Sequence, residues 1–238
     1  MLVRMYFPVS LSENAQLCTD EKQSNYLANV LRMKIGDKIN VFDGKTGEYE
    51  SEIVEIAKKK CILSVVKKIK EIKLSSDVWL LFSPLKKDCT DMVIQKATEL
   101  GVSKILPIIT QRTNSEKVRI ERFKAQSIEA AEQCRRTDIP EICKPQKLGD
   151  VLQNWPNDRT LFFLNENGSG KNILQKMQEF SDKAAILIGP EGGFTEDEMK
   201  KVLENQKVCD IFLGDRILRA ETAAIAALSC WQAINGDW

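Results

Sequence analysis

Histidine is missing from all 238 residues. Without an imidazole the chain cannot run Ser-His-Asp or Cys-His nucleophile systems, build a helical H-E-x-x-H zinc site, or use histidine as a general acid or base. Cysteine occurs seven times, at 18, 61, 89, 134, 143, 209 and 230, but never as C-x-x-C. An odd, scattered set fits neither a disulfide framework nor a zinc ribbon, so a reducing cytoplasm and no metal are expected. No apolar run approaches the roughly 20 residues of a membrane span. The N-terminal MLVRMYFPVSL lacks an apolar core followed by small residues, so no export signal is read there, and the sequon Asn167-Gly168-Ser169 is taken as coincidental. Net charge is nearly absent as well, at +1. That value hides a gradient, because residues 1–136 carry an excess of +6 and residues 137–238 an excess of −5. A nucleic-acid surface on the basic part therefore stays open, beside the plainer reading of solvated helix faces.

Apolar residues make up 43% of the chain, enough for an ordinary core at a length that suits one or two domains. Short strands at Leu2 to Phe7, Lys38 to Phe42, Tyr49 to Ala57 and Cys61 to Val66 predict a small β-barrel over 1–70. Its turns are Asp43 to Gly47 and Lys58 to Lys60, and a helix runs from Glu21 to Met33, ended near Gly36. The charged, weakly patterned run Lys67 to Ser76 holds the linker, placed at 71–76. Residues 77–238 then alternate strand and helix. Strands are expected at Val78 to Phe82, Lys104 to Ile109, Thr160 to Leu164, Ala184 to Ile188 and Val208 to Leu213. Helices are expected roughly over 90–100, 119–136, 171–180, 196–204 and 220–234. This rhythm predicts an α/β domain, a parallel sheet with helices on both faces. Ligands of such sheets bind at the carboxyl ends of strands, which points to the loops after Leu164, Ile188 and Leu213.

Three glycine segments compete for that role. Gly168-Ser169-Gly170-Lys171 suggests a phosphate loop but has Asn165 where the motif needs glycine and Asn172 where it needs Ser or Thr. It reads better as a loop leading into a helix. Gly189-Pro190-Glu191-Gly192-Gly193-Phe194 follows an apolar strand and runs into the capping box Thr195-Glu196-Asp197-Glu198. Two adjacent glycines and an ionisable Glu191 exceed what capping needs and suit close approach of backbone to a ligand. In Leu213-Gly214-Asp215-Arg216-Ile217-Leu218-Arg219-Ala220-Glu221-Thr222-Ala223, apolar Ile217 and Leu218 lie among charges, a placement expected if they wall a pocket.

The last two segments, I-G-P-E-G-G-F-T-x-x-E and L-G-x-R-I-L-R-x-E-T-A, resemble those of the bacterial 16S ribosomal RNA uracil-N3 methyltransferases of the SPOUT superfamily. The likeness extends to Asn29-Val30-Leu31-Arg32, Phe42-Asp43-Gly44, Gln95-Lys96 with Glu99-Leu100-Gly101-Val102, Glu129 to Gln133 with Arg136, and Pro140-Glu141. The resemblance implies a PUA-like barrel, a SPOUT α/β domain with a deep trefoil knot, S-adenosylmethionine (SAM) in the knot loops, a homodimer, and 16S rRNA of the small subunit as substrate. The knot runs against the general prior for chain topology. Two positions depart from the family pattern: Tyr26 stands where histidine is usual, and Arg135 where glycine is usual.

By the same resemblance the cofactor lies against Leu164, Asn165 and Glu166, then Gly189, Pro190, Glu191, Gly192 and Gly193, then Leu213, Gly214, Ile217, Leu218, Arg219 and Thr222. Arg219 is the first candidate to stabilise a uridinate anion, with Glu221 orienting it or sharing removal of the N3 proton and Glu191 as an alternative carboxylate. The equal alternative is a structural ion pair between Arg219 and Glu221 at a dimer interface. RNA phosphates are expected on Arg4, Arg32, Lys86, Lys96, Arg112, Arg135 and Arg136. Competing readings are a knotted methyltransferase acting on tRNA or a ribose 2′-hydroxyl, a non-catalytic RNA-binding or assembly protein, and a nucleotide hydrolase built on Gly168 to Lys171.

Overall fold

Residues 3–113, 118–165, 171–180 and 183–238 are described by a computed structural model of the chain. Contacts divide it into one unit of Met1–Leu74 with Ala131–Ile139, and another of Ser75–Ala130 with Pro140–Trp238.

The first unit is a five-stranded sheet built from β1 (Arg4–Tyr6), β2 (Gln16–Cys18), β3 (Lys38–Phe42), β4 (Glu48–Ile56) and β5 (Cys61–Lys70), in the order β1-β3-β4-β5-β2. The β1–β3 pair is parallel and the other pairs are antiparallel. Alternation places Cys61, Leu63 and Val65 inside, against Ile39, Val41, Ile53 and Leu27. Register shifts along β4, between Glu48 and Tyr49, Glu50 and Ser51, and Ile53 and Glu55, add local twist. Two expectations change here. Strand β5 continues through Lys67–Lys70, residues that composition assigned to a charged run, because those lysines pair with Glu50, Tyr49 and Glu48 across the ladder instead of burying apolar surface. The helix expected over Glu21 to Met33 is a short α1 (Glu21–Asn25), capped by Asp20 and Gln23, followed by a π-helical turn over Tyr26–Val30. Arg32, in the left-handed region at φ 55°, ends it before Gly36 is reached.

Residues 131–139 return to this unit, and Arg4 supplies three of the hydrogen bonds that hold them there. Its guanidinium makes two hydrogen bonds of 3.0 Å to the Glu48 carboxylate. It also donates to the carbonyls of Ala131 (2.8 Å), Glu132 (3.0 Å) and Arg136 (2.9 Å). The Phe42 ring lies beneath it at 4.4 Å. Arg4 is buried, so the expectation that it contacts RNA is corrected: every direction in which it could donate is taken by the protein.

The second unit holds β6 (Val78–Phe82), β7 (Lys104–Ile109), β8 (Glu141–Ile142), β10 (Thr160–Leu164), β11 (Lys171–Asn172), β12 (Ala184–Ile188) and β13 (Val208–Phe212). They form one parallel sheet in the order β11-β13-β10-β12-β6-β7-β8, with β9 (Gln146–Lys147) pairing β7. Strand residues send alternate side chains to two cores. Leu80, Phe82, Phe162 and Ile186 meet α2 (Lys87–Glu99), α3 (Ile120–Cys134), α5 (Ile173–Gln178) and α7 (Ala220–Asn235). Leu81, Phe163, Ala185 and Leu187 meet α4 (Leu148–Gln153) and α6 (Glu196–Leu203). Four of the five expected strands match the observed bounds, and the fifth ends one residue early, at Phe212. The two-residue strands β8, β9 and β11 and the six-residue α4 escaped the pattern reading, as β2 did in the first unit, because so short a segment shows no period.

At the amino ends of these strands the sheet is closed by Arg159. Its side chain donates to the carbonyls of Asp77 (2.9 Å) and Ala184 (2.8 Å) and to the Asp77 carboxylate (2.7 Å), and lies 3.7 Å over the Trp79 ring. The carboxyl ends are the open ones.

Candidate active site

Chain order moves outward from β6 to β7 and then, at β10, to the other side, with β12 inserted between β10 and β6. A parallel sheet whose order reverses leaves a crevice at the carboxyl ends of the strands beside the switch. Here that crevice is a cavity of about 790 Å³, within the roughly 300–1,000 Å³ of small-molecule sites. Four adjacent strands supply its walls: Lys86 and Cys89 beyond β6, Phe163 to Asn165 at the end of β10, Ile188 to Glu191 with Gly193 and Phe194 after β12, and Phe212 to Leu218 after β13. The first turn of α7 closes it through Arg219, Ala220, Glu221 and Ala223.

The glycine loop after β12 is tightly determined. A Cβ on Gly189 would sit 2.6 Å from the Phe194 ring, and that ring is fixed edge-on against Phe163 at 5.2 Å between centroids. Gly193 has φ +68° and donates its N–H to the Pro190 carbonyl at 2.9 Å, closing a turn. Thr195 caps α6 with Glu198 in the expected capping box. After β13, Gly214 takes φ +101°, a conformation only glycine adopts without strain. Ile217 stands 81% exposed on the cavity wall.

Glu221 is buried and accepts a hydrogen bond from the Cys89 thiol at 3.6 Å. Burial, followed by the charge of Glu221 and its hydrogen bond, pushes the Cys89 thiol up, and Arg219 opposes this. The thiol therefore stays protonated and serves as a donor. Among the described residues Arg219 forms no ion pair with Glu221; its side chain is exposed where it lines the cavity. Cys89 was invisible as a site residue in the sequence, since 132 positions separate it from Glu221.

Of the residues expected to hold a cofactor, Leu164, Asn165, Gly189, Pro190, Glu191, Gly193, Leu213, Gly214, Ile217, Leu218 and Arg219 all line this cavity. Gly192 and Thr222 do not line it; both are exposed. Glu166 and the Gly168–Gly170 loop lie outside the described residues. The basic set separates more sharply. Lys86 lines the cavity. Arg32 and Arg135 are exposed in the first unit, both with left-handed backbone. Lys96 pairs with Glu99 at 2.8 Å, and Arg112 donates to the Gly192 carbonyl at 2.8 Å. Arg136 is corrected with Arg4: its side chain is 7% exposed and held by Asp138 at 2.8 Å, which leaves no surface for a phosphate.

The cavity suits a ligand with apolar, polar and charged parts. Phe163, Phe194, Met199 and Leu218 give apolar walls, the glycine turns bring backbone close, and Glu191, Asp215 and Glu221 offer carboxylates to a cationic centre. No helix among the described residues is long and apolar enough to cross a membrane. Among the same residues no cluster of three or more potential ligands could hold a metal.

Comparison with known proteins agrees with this geometry. The family model of an RNA methyltransferase domain matches residues 72–232, and that of an RNA methyltransferase PUA domain matches residues 19–66. Ribosomal RNA small subunit methyltransferase E of Rickettsia conorii is 33% identical over 229 residues, covering 95% of this chain and 93% of the relative. The Bacillus subtilis protein of the same name is 29% identical, covering 87% and 86%. Among solved structures, ribosomal RNA small subunit methyltransferase E of Neisseria gonorrhoeae, bound to S-adenosyl methionine, superposes with a TM-score of 0.91 at 28% identity over 100% of both chains. A Legionella pneumophila protein with the cofactor SAM bound gives the same TM-score, identity and coverage. With both domains matched in order and relatives aligned along nearly their whole length, the chain belongs to the ribosomal RNA small subunit methyltransferase E family.

Proposed function

We propose that the protein transfers a methyl group from S-adenosylmethionine to N3 of a uridine in 16S rRNA of the small ribosomal subunit. One observation carries the reading: a single cavity at the carboxyl ends of four parallel strands gathers both glycine turns, Arg219 and the buried Glu221. When bound, S-adenosylmethionine supplies a methyl group already activated on a sulfonium, so the protein need provide neither metal nor covalent nucleophile. Its task is alignment and the N3 proton.

Lys86 and Arg219, both cationic groups on the cavity wall, favour negative charge as it develops on the uracil ring. Glu221 is the carboxylate suited to take the N3 proton: it lies on the cavity wall, and the donor it meets there is a thiol, a weak one that leaves lone pairs open to the substrate. The adjacent Glu191 is the alternative acceptor. Apolar Phe194, Ile217 and Leu218 flank these groups and limit competing water. Arg32 and Arg135, exposed and basic, remain the phosphate contacts of the first unit, and residues 1–70 its RNA-presenting domain. The deep trefoil knot and the homodimer belong to the same proposal, as does a cytoplasmic location, to which seven free cysteines are suited.

Methylation of small-subunit particles with labelled S-adenosylmethionine, followed by nucleoside analysis, tests the reading. The expected product is 3-methyluridine; recovery of 2′-O-methyl nucleosides, or no transfer at all, refutes it. Sedimentation of the free protein tests the dimer.

A further inference from the structure

We infer that the turn at Thr110–Thr113 is a positioning element for the cofactor loop, and that Arg112 acts through that loop on cofactor retention instead of contacting RNA. The inference rests on the reading of the cavity as the S-adenosylmethionine site.

The turn follows β7 and is closed by its own threonines. The Thr110 N–H donates to Thr113 Oγ1 at 2.8 Å, the two hydroxyls lie 2.9 Å apart, and the Thr113 N–H returns to the Thr110 carbonyl at 3.3 Å. Between these anchors it presents two donors, one to the start of α6 and one to the glycine loop. The Gln111 backbone N–H reaches Glu198 Oε1 at 2.8 Å, and Arg112 Nη1 reaches the Gly192 carbonyl at 2.8 Å. Glu198 is buried, and its other oxygen accepts from the Thr195 N–H at 3.0 Å and the Thr195 hydroxyl at 3.3 Å. One carboxylate thus ties the start of α6 to the turn after β7, which is more than a helix cap requires.

Arg112 has the more direct consequence. The peptide joining Gly192 to Gly193 is planar, so its carbonyl and N–H point to opposite sides. Holding the Gly192 carbonyl toward Arg112 holds the Gly193 N–H the other way, where it donates to the Pro190 carbonyl at 2.9 Å. Gly193 lines the cavity and Gly192 does not, so Arg112 grips the outer face of the peptide whose inner neighbour shapes the site. Its stem also lies along Gly192, with Cδ 3.5 Å from where a Cβ would be. Two adjacent glycines lose more conformational freedom on ordering than any other pair. A loop fixed before the ligand arrives removes that cost from binding.

Calorimetry with S-adenosylmethionine alone, without RNA, separates the possibilities, using wild type, Arg112→Ala and Arg112→Lys. Because Arg112 is exposed, Arg112→Ala should keep the wild-type melting temperature. Its Kd for S-adenosylmethionine should rise about ten-fold, the effect of one charge-assisted hydrogen bond, with Arg112→Lys in between and RNA affinity at fixed salt unchanged. Glu198→Ala, which removes the other anchor, should weaken cofactor binding in the same direction. Unchanged cofactor affinity in Arg112→Ala, with or without a loss of RNA affinity, overturns the inference. Absence of saturable binding by the wild-type protein overturns instead the reading of the cavity on which it rests.

Discussion

Replacing Arg4 by alanine should unfold the first unit far more readily than any surface arginine change. Both partners of the Arg4–Glu48 pair are buried, with side chains 5% and 7% exposed. Removing the cation leaves the Glu48 carboxylate inside the protein with Asn40, at 2.8 Å, as its remaining donor. It also removes the guanidinium donor from the carbonyls of Ala131, Glu132 and Arg136. Breaking a buried pair from one side costs about 3–5 kcal/mol. At roughly 2–4 °C per kcal/mol for a chain of this size, that corresponds to a fall of at least about 6 °C in Tm. Glu48→Gln should cost less, because Arg4 keeps all three carbonyl acceptors and a neutral amide oxygen in the place of the carboxylate. Differential scanning calorimetry of the two variants gives the comparison directly. If Arg4→Ala melted within about 1 °C of wild type while RNA binding fell, Arg4 would be a surface contact and the reasoning from burial would be wrong.

Other outcomes follow from particular contacts. Burial raises the Asp43 carboxyl, but donation from Thr46 N–H and hydroxyl, Leu11 N–H and Lys45 N–H outweighs it, so the folded value lies below the ordinary aspartate range. As pH falls below that range the unfolded chain takes up the proton first, so the stability Asp43 confers is kept above it and lost on descending to the folded value. Acid titration of Tm should therefore be shallower in Asp43→Asn than in wild type, and identical slopes would refute the assignment. Gly189→Ala places a methyl 2.6 Å from a Phe194 ring that cannot retreat from Phe163; overpacking of about 1–3 kcal/mol should appear as weaker S-adenosylmethionine binding by calorimetry. Because Glu221 pushes the Cys89 thiol up, Glu221→Gln should speed alkylation of Cys89 near neutral pH, read peptide by peptide in mass spectrometry. An unchanged rate would show that the pair is not coupled.

Much of the second unit was legible in the sequence because β6, β7, β10, β12 and β13 are short apolar runs bounded by turn residues. The site was legible for a related reason: glycines at Gly193 and Gly214 take left-handed backbone at strand ends, a need that fixes residue type locally. Arg135, a position where the resemblance leads glycine to be expected, also adopts φ 63°, backbone that favours glycine. The basic residues were the least legible. Arg4, Arg136 and Arg112 look alike in sequence, yet two are buried in ion pairs and one grips a carbonyl. Charge type is written in the chain, whereas exposure depends on what folds over it.

The sequence by itself determined which chemistry is excluded, where the parallel strands lie and which turns must be glycine, since each follows from residue type and short-range spacing. Only the tertiary structure decided that Cys89 meets Glu221, that Gln111 and Arg112 hold the loop carrying Gly192, and that residues 131–139 join the first unit through Arg4. Those contacts join residues 80 to 132 positions apart. No local propensity encodes such separations; they are fixed by the packing of whole elements.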